Sequence, residues 1–282
     1  MSTRRSISTG LLAAGALGSP CTAAGLSEPR TPPVVTVVAR DYAFDSPDSI
    51  EAGPTTIRLV SRGREEHFLG LVKIATPHTF AEFKRTLSAP GKTHWVTNVG
   101  GVGTIEPGGT AVTTIDLAPG LYAMLCDMED AKGTPHMMEG MLRSLTVTRT
   151  RNGATMPQAD VDLSLADYSF TLPTPLTAGA HVIEVRNAGS QSHMALLWRL
   201  HQGKSVTDAV HWMMTPTDTG PPPVTLIGGV PDLDVGGAAQ LRVRLTPGNY
   251  LLICLVDDVT DHKPHFAHGM LREFAVEASA AR

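Results

Sequence analysis

The sequence is short of several things, and each shortage excludes something. Aromatic residues make up 5% of its 282 positions, charged residues 18%, and there are only three cysteines. No cluster of five or more Lys/Arg occurs and the net charge is −4, so the basic footprint of a nucleic-acid binder is missing. Three cysteines are too few, and odd in number, for a disulfide scaffold. No apolar run reaches the roughly 18 residues that a membrane-spanning helix needs. Gly-x-Ser-x-Gly is absent, and Gly100-Gly101-Val102-Gly103 is too irregular for a dinucleotide loop. What is present is 42% hydrophobic residues, enough for packed cores and too many for a disordered chain. The 27 glycines and 21 prolines are scattered, which excludes a collagen-like repeat and implies many turns between short strands.

The first 24 residues read as an export signal. Arg4 and Arg5 precede an apolar stretch from Ile7 to Leu17, and Thr22-Ala23-Ala24 offers small residues for cleavage. The paired arginines fit a twin-arginine route as well as an ordinary secretory one. Cys21 would leave with the signal, and the mature chain is expected to be periplasmic or secreted.

The remainder is written twice, at a shift of 126 to 129 residues. Asp41-Tyr42-Ala43-Phe44 returns as Asp167-Tyr168-Ser169-Phe170, and Arg62-Gly63 before His67 as Ala188-Gly189 before His193. Gly100-Gly101 matches Gly228-Gly229, and Pro119-Gly120-Leu121-Tyr122 matches Pro247-Gly248-Asn249-Tyr250. Both copies finish on Pro-His-x-x-x-Gly-Met-Leu. Alternation at Leu241, Val243 and Leu245, and at Thr113, Ile115 and Leu117, predicts half-buried strands. One helix is expected in each copy, where Thr79 with Glu82 and Ser205 with Asp208 form capping boxes; it should lie across an open end of the sandwich. The expected fold is all-β, with two tandem β-sandwich domains at 34–148 and 159–277, joined by a polar linker at 149–158.

Within each copy the same four donors recur in the same order: His67, Cys126, His136 and Met141, then His193, Cys254, His265 and Met270. Two neutral imidazoles and a thiolate make a trigonal set suited to copper, with a thioether as weak axial ligand. Alternatives stand beside this. A lone strand histidine is often a core residue bonded to backbone, and a free cysteine often a small buried hydrophobe. Cys126 and Cys254 could also pair as a disulfide in an oxidising compartment. Met124, Met128, Met137 and Met138 read as packing residues or as extra Cu(I) donors. His262, His265 and His268 are spaced for zinc or nickel, but no helical signal surrounds them. His78, His94, His181, His201 and His211 show no ligand spacing and are expected at the surface.

Both copies resemble cupredoxins, the blue copper proteins. The resemblance rests on Asn187-Ala188-Gly189 leading to His193, on the Pro-Gly-x-Tyr strand running into Cys, and on His-x4-Met. It implies Greek-key sandwiches, up to two type 1 copper ions held by the eight donors above, and a one-electron carrier with transient redox partners. Any membrane association would come through such a partner. The nine and ten residues between cysteine and second histidine exceed the gap of the small family members and match that of copper nitrite reductases. Catalytic members of the superfamily place a histidine beside the cysteine, or carry His-x-His pairs. Here Leu125 and Asp127 flank Cys126, Ile253 and Leu255 flank Cys254, and no His-x-His occurs, so no enzymatic activity is expected. A Cu(I) storage or delivery protein and a metal-free interaction module remain as alternatives. Electrons would pass through a histidine edge near the surface, beside an apolar patch such as Met137-Met138 or Phe266-Ala267.

Overall fold

The structure is a computed structural model that describes residues 30–88, 93–172, 175–215 and 220–278. The expected signal, with Cys21, lies outside the described residues. The first half runs β1 (Val34–Arg40), β2 (Ala43–Asp45), β3 (Ser49–Ser61), β4 (His67–Ile74), α1 (Phe80–Thr86), β5 (Val96–Ile105), β6 (Thr110–Leu117), β7 (Gly120–Leu125), α2 (His136–Glu139) and β8 (Leu142–Arg151). The second runs β9 (Val161–Ala166), β10 (Ser169–Thr171), β11 (Gly179–Asn187), β12 (His193–Leu200), α3 (Val206–Met214), β13 (Val224–Leu233), β14 (Ala238–Leu245), β15 (Gly248–Ile253), a 3-10 turn at His265–His268 and β16 (Leu271–Val276). Each half is a β-sandwich. One face orders β2-β1-β3-β6 and the other β5-β4-β7-β8, and β10-β9-β11-β14 and β13-β12-β15-β16 repeat this.

Period-two alternation explains the layers. Leu69, Leu71, Tyr122 and Met124 point into the sandwich, while Val72, Ile74 and Ala123 from the same strands face outward. That outward face is covered by α1, which buries Phe83 there, so β4 is apolar on both faces. Both capping boxes form as expected. The helices, however, lie over the outer face of a sheet, where α3 likewise buries Ala209 against Trp198 and Leu226, and not across an open end. Each half also holds a second helical turn beyond the single one expected. Pro135 and Pro264 precede these turns without any side-chain cap, and one turn is too short to leave a periodic stripe.

The stretch 149–158 is tied down rather than free. β8 continues through Arg151. Asn152 is buried; its Nδ2 donates to Pro54 O at 2.9 Å and its backbone N to Ala52 O at 2.9 Å. A polar Asn-Gly pair reads as a loop, but here the amide serves as an internal hydrogen-bonding group.

The halves meet about a local two-fold axis. β6 pairs antiparallel with β14, Thr113 opposite Leu241, with Val112 on Arg242 and Thr114 on Gln240. β5 pairs with β13, Ile105 on Ile227 and Val99 on Leu233. Under the repeat these positions exchange, so the contact is isologous. Side chains follow the same rule: Asn98 N donates to Asp234 Oδ2 at 2.9 Å, and Leu226 N to Glu106 Oε1 at 3.1 Å.

A cavity of about 240 Å³ lies at this junction, lined from both halves by Phe68, Asp127, Met194 and Asp232 among others. Asp232 Oδ1 is buried there without a hydrogen-bond partner. Burial, then repulsion from Asp127 and Asp234, pushes its carboxyl up to about 7. An acid raised on folding stabilises the fold below the unfolded-state value near 4 and loses that contribution as pH rises through about 7. Asp232→Asn is therefore expected to abolish much of the stability loss between pH 5 and 8, on the order of a few kcal/mol. Urea unfolding of both proteins across that range checks it; parallel curves would contradict the assignment.

Candidate metal centres

The first histidine of each set opens a strand, and an aspartate behind it fixes the ring. Asp41 lies between β1 and β2, and its Oδ1 stands 3.1 Å from His67 Nε2; Asp167 Oδ1 stands 2.9 Å from His193 Nε2. Burial works to raise the Asp41 carboxyl, but donors from Arg64, Glu65 and His67 outweigh it and hold it low. Asp167 is drawn down to about 2, chiefly by the Ser190 hydroxyl. Both carboxylates are thus ionised and take the outer Nε2–H, which leaves Nδ1 aimed inward without a proton. Gly63 and Gly189 make room for this contact. A Cβ at either would collide with the aspartate and the histidine together.

The other donors come from one loop. Cys126 and Cys254 follow β7 and β15, and after the second histidine the chain makes one helical turn to Met141 or Met270. Backbone bonds close this loop: Met137 N donates to Cys126 O at 2.7 Å, Cys126 N to Met141 O at 3.2 Å and Met141 N to His136 O at 2.9 Å. Phe266, Cys254, Met270 and His265 repeat the pattern. The long cysteine-to-histidine gap is folded out of the way as a small hairpin. His136 N donates to Met128 O at 2.7 Å and Glu129 bridges Pro135, while His265 N donates to Val256 O at 2.8 Å and Asp257 bridges Pro264. Gly140 and Gly269 end the turns at positive φ, 128° and 102°, which few other residues adopt.

The donors converge. His67, Cys126 and His136 form one group and His193, Cys254 and His265 another, with ligand atoms inside each group within 4.8 Å of one another. Cys126 Sγ is 3.6 Å from His136 Nδ1 and Cys254 Sγ 3.5 Å from His265 Nδ1. His193 Nδ1 and His265 Nδ1 face each other at 3.0 Å. All six residues are at most 1% exposed, and both methionines 0%. His67 Nδ1 is buried with no partner. Burial lowers His67 and His265 and pushes both thiols up to about 12. Buried imidazoles and a thiol that yields its proton only to a cation are a set that fits a copper ion.

Several expectations change. Cys126 and Cys254 are free, so the disulfide is excluded. Of the three spaced histidines His265 enters a His–Cys–His group, His268 falls with Asp258 and Asp261 in a separate cluster of possible ligands, its Nε2 3.0 Å from Asp261, and His262 is exposed. Met124 is core, and Met138 is 50% exposed. Neither His136 nor His265 presents an edge to solvent, and Phe266 is buried in a hydrophobic cluster, so the expected Phe266-Ala267 patch does not form. Tyr42 and Tyr168 cover these histidines, with ring centroids 4.9 and 5.4 Å away. The aspartate and tyrosine of the Asp-Tyr-x-Phe repeat therefore serve the site. Recurrence in both copies was the available signal for them.

No protein-family model matches the sequence, and no curated protein does. Among solved structures, auracyanin from Roseiflexus castenholzii aligns with 42% of this chain and 98% of its own, at 18% identity and TM-score 0.30. A copper-containing nitrite reductase from Thermus scotoductus aligns over 88% of this chain, which spans 62% of that protein, at 14% identity and TM-score 0.26. A blue copper oxidase from Nitrosomonas europaea aligns over 88% of this chain and 86% of its own, at 15% and 0.27. The two His–Cys–His groups, one in each sandwich, are placed to hold two metal ions, and their donor chemistry fits copper. The expectation that the chain is not an enzyme does not stand, because enzymes align over most of its length. A missing histidine beside the cysteine removes one route to a reacting copper; it does not exclude catalysis. Among the described residues no helix is long and apolar enough to cross a membrane.

Two outcomes check the site. After unfolding, Cys126 and Cys254 should each titrate as a free thiol; zero would restore the disulfide. Gly189→Ala should weaken metal retention by about 10- to 100-fold, because its Cβ displaces Asp167 and the His193 ring together. Unchanged retention against a competing chelator would show that the aspartate does not orient the ring.

Proposed function

We propose that this chain is an exported one-electron carrier with a type 1 copper site in each half. His67, Cys126, His136 and Met141 would hold the first ion, and His193, Cys254, His265 and Met270 the second. The observation that carries the reading is the second group, where two imidazole Nδ1 atoms face each other at 3.0 Å with a thiol 3.5 Å from one of them, in a fully buried pocket. Copper bound there supplies one-electron exchange.

The chain supplies rigidity. Asp41 and Asp167 hold the first histidine of each set in one orientation. Backbone donors fix the sulfur, since Phe68 N lies 3.5 Å from Cys126 Sγ and Met194 N 3.4 Å from Cys254 Sγ. A loop bonded at both ends resists movement when the charge at its centre changes, and burial excludes water. Transient partners would dock near Tyr42 or Tyr168, which lie between the buried histidines and the surface.

The test is the visible spectrum after addition of Cu(II). An intense thiolate-to-copper band should appear, fall by about half in Cys126→Ser or Cys254→Ser, and vanish in the double variant. A colourless protein that nevertheless retains Cu(I) would overturn the carrier in favour of storage or delivery.

A further inference from the structure

Aligned on Asp41-Tyr42 and Asp167-Tyr168, the two copies place Glu65 where the second has Gln191, two residues before each first histidine. The difference reaches the second histidine of each set. Glu65 Oε2 stands 2.8 Å from His136 Nε2, outside hydrogen-bond alignment, and Oε1 accepts from Tyr42 OH at 3.1 Å. Among the described residues no carboxylate makes an ion-pair contact with His265 Nε2, which is buried without a hydrogen-bond partner. Gln191 turns away: its Nε2 donates to Asp258 Oδ2 at 2.7 Å and to Tyr168 OH at 3.2 Å, and its Oε1 accepts from Val259 N at 2.9 Å.

Asp258 acts on His265 through space but makes no contact with the ring Nε2. Besides Gln191, its oxygens accept from Tyr168 OH at 2.6 Å, Thr260 N at 2.7 Å and Asp261 N at 3.1 Å. These donors fix the ionised carboxylate beside Gln191 and Tyr168 instead of on the ring nitrogen. The aspartates behind the first histidines are the same in both copies, at 3.1 and 2.9 Å, so they do not separate the sites.

A carboxylate at the outer nitrogen of a ligating imidazole adds negative charge and makes the ring a stronger donor, and both effects favour the more positive state of a cation held by the inner nitrogen. We infer that Glu65 and Gln191 set the two copper centres apart in potential, the first lower and the second higher. The inference rests on the copper reading proposed above. In a half-reduced molecule Cu(I) in the first site and Cu(II) in the second exchange one electron, so that the first is oxidised and the second reduced. Position 65/191 thereby gives the chain a preferred direction, toward its second half.

The test is a spectroelectrochemical titration of the copper-loaded full chain, with samples matched for copper content. Two waves are expected, the lower one absent from Cys126→Ser and the higher one absent from Cys254→Ser. Glu65→Gln should raise the lower wave, and Gln191→Glu should depress the higher. A tenfold change in the Cu(I)/Cu(II) equilibrium corresponds to about 59 mV for a one-electron couple. A single wave in the parent, or a thiolate band with unmoved potentials in both variants, would overturn the inference while leaving the copper sites intact. Absence of any thiolate band in the parent would instead remove the copper reading, and this inference with it.

Discussion

A nitrogen that can accept a hydrogen bond, buried without a donor, costs the folded state stability. Both halves are organised around such atoms. His67 Nδ1 is orphaned, and the facing Nδ1 atoms of His193 and His265 cannot both be satisfied without a shared proton or a cation. Everything nearby holds that arrangement in place: an ionised aspartate behind the ring, a glycine that clears the way for it, a backbone-bonded loop beneath the cysteine and a tyrosine over the outer histidine. A chain selected for stability alone would have placed apolar residues there. These nitrogens are what favour a metal-site reading of the positions over a core one.

Much of this was legible in the sequence, because repetition supplied a control. His67 by itself is an ordinary strand histidine, but with His193 it anchors a donor set that survives in order, and both capping boxes could be read from three-residue spacings. Other features left no local signal. The turns at His136 and His265 are a single turn long and start at proline with no capping side chain, so neither periodicity nor a polar cap announces them. Asn152 sits in a polar Asn-Gly context that denotes a surface loop, and only tertiary contact makes it a buried donor. Burial of Phe266 depends on α3 and the sheet beneath it, elements remote in sequence.

Asp41 and Tyr42 were visible as a repeat without a reason. Their role became plain only when the turn after β1 was seen to reach the start of β4 and the loop after β7 at once. The absence of a histidine beside either cysteine, by contrast, describes one connection to a second copper and does not exclude catalysis.

The junction between the halves has the form of a symmetric dimer interface, with strands of each half paired to their own counterparts in the other. Two identical subunits joined this way could never differ, since any substitution would appear in both. A single polypeptide removes that restriction. One copy can carry a carboxylate where the other carries an amide, and the two halves cannot exchange partners or fall apart on dilution. Covalent continuity across a two-fold contact is thus what permits an assembly built on symmetry to acquire polarity.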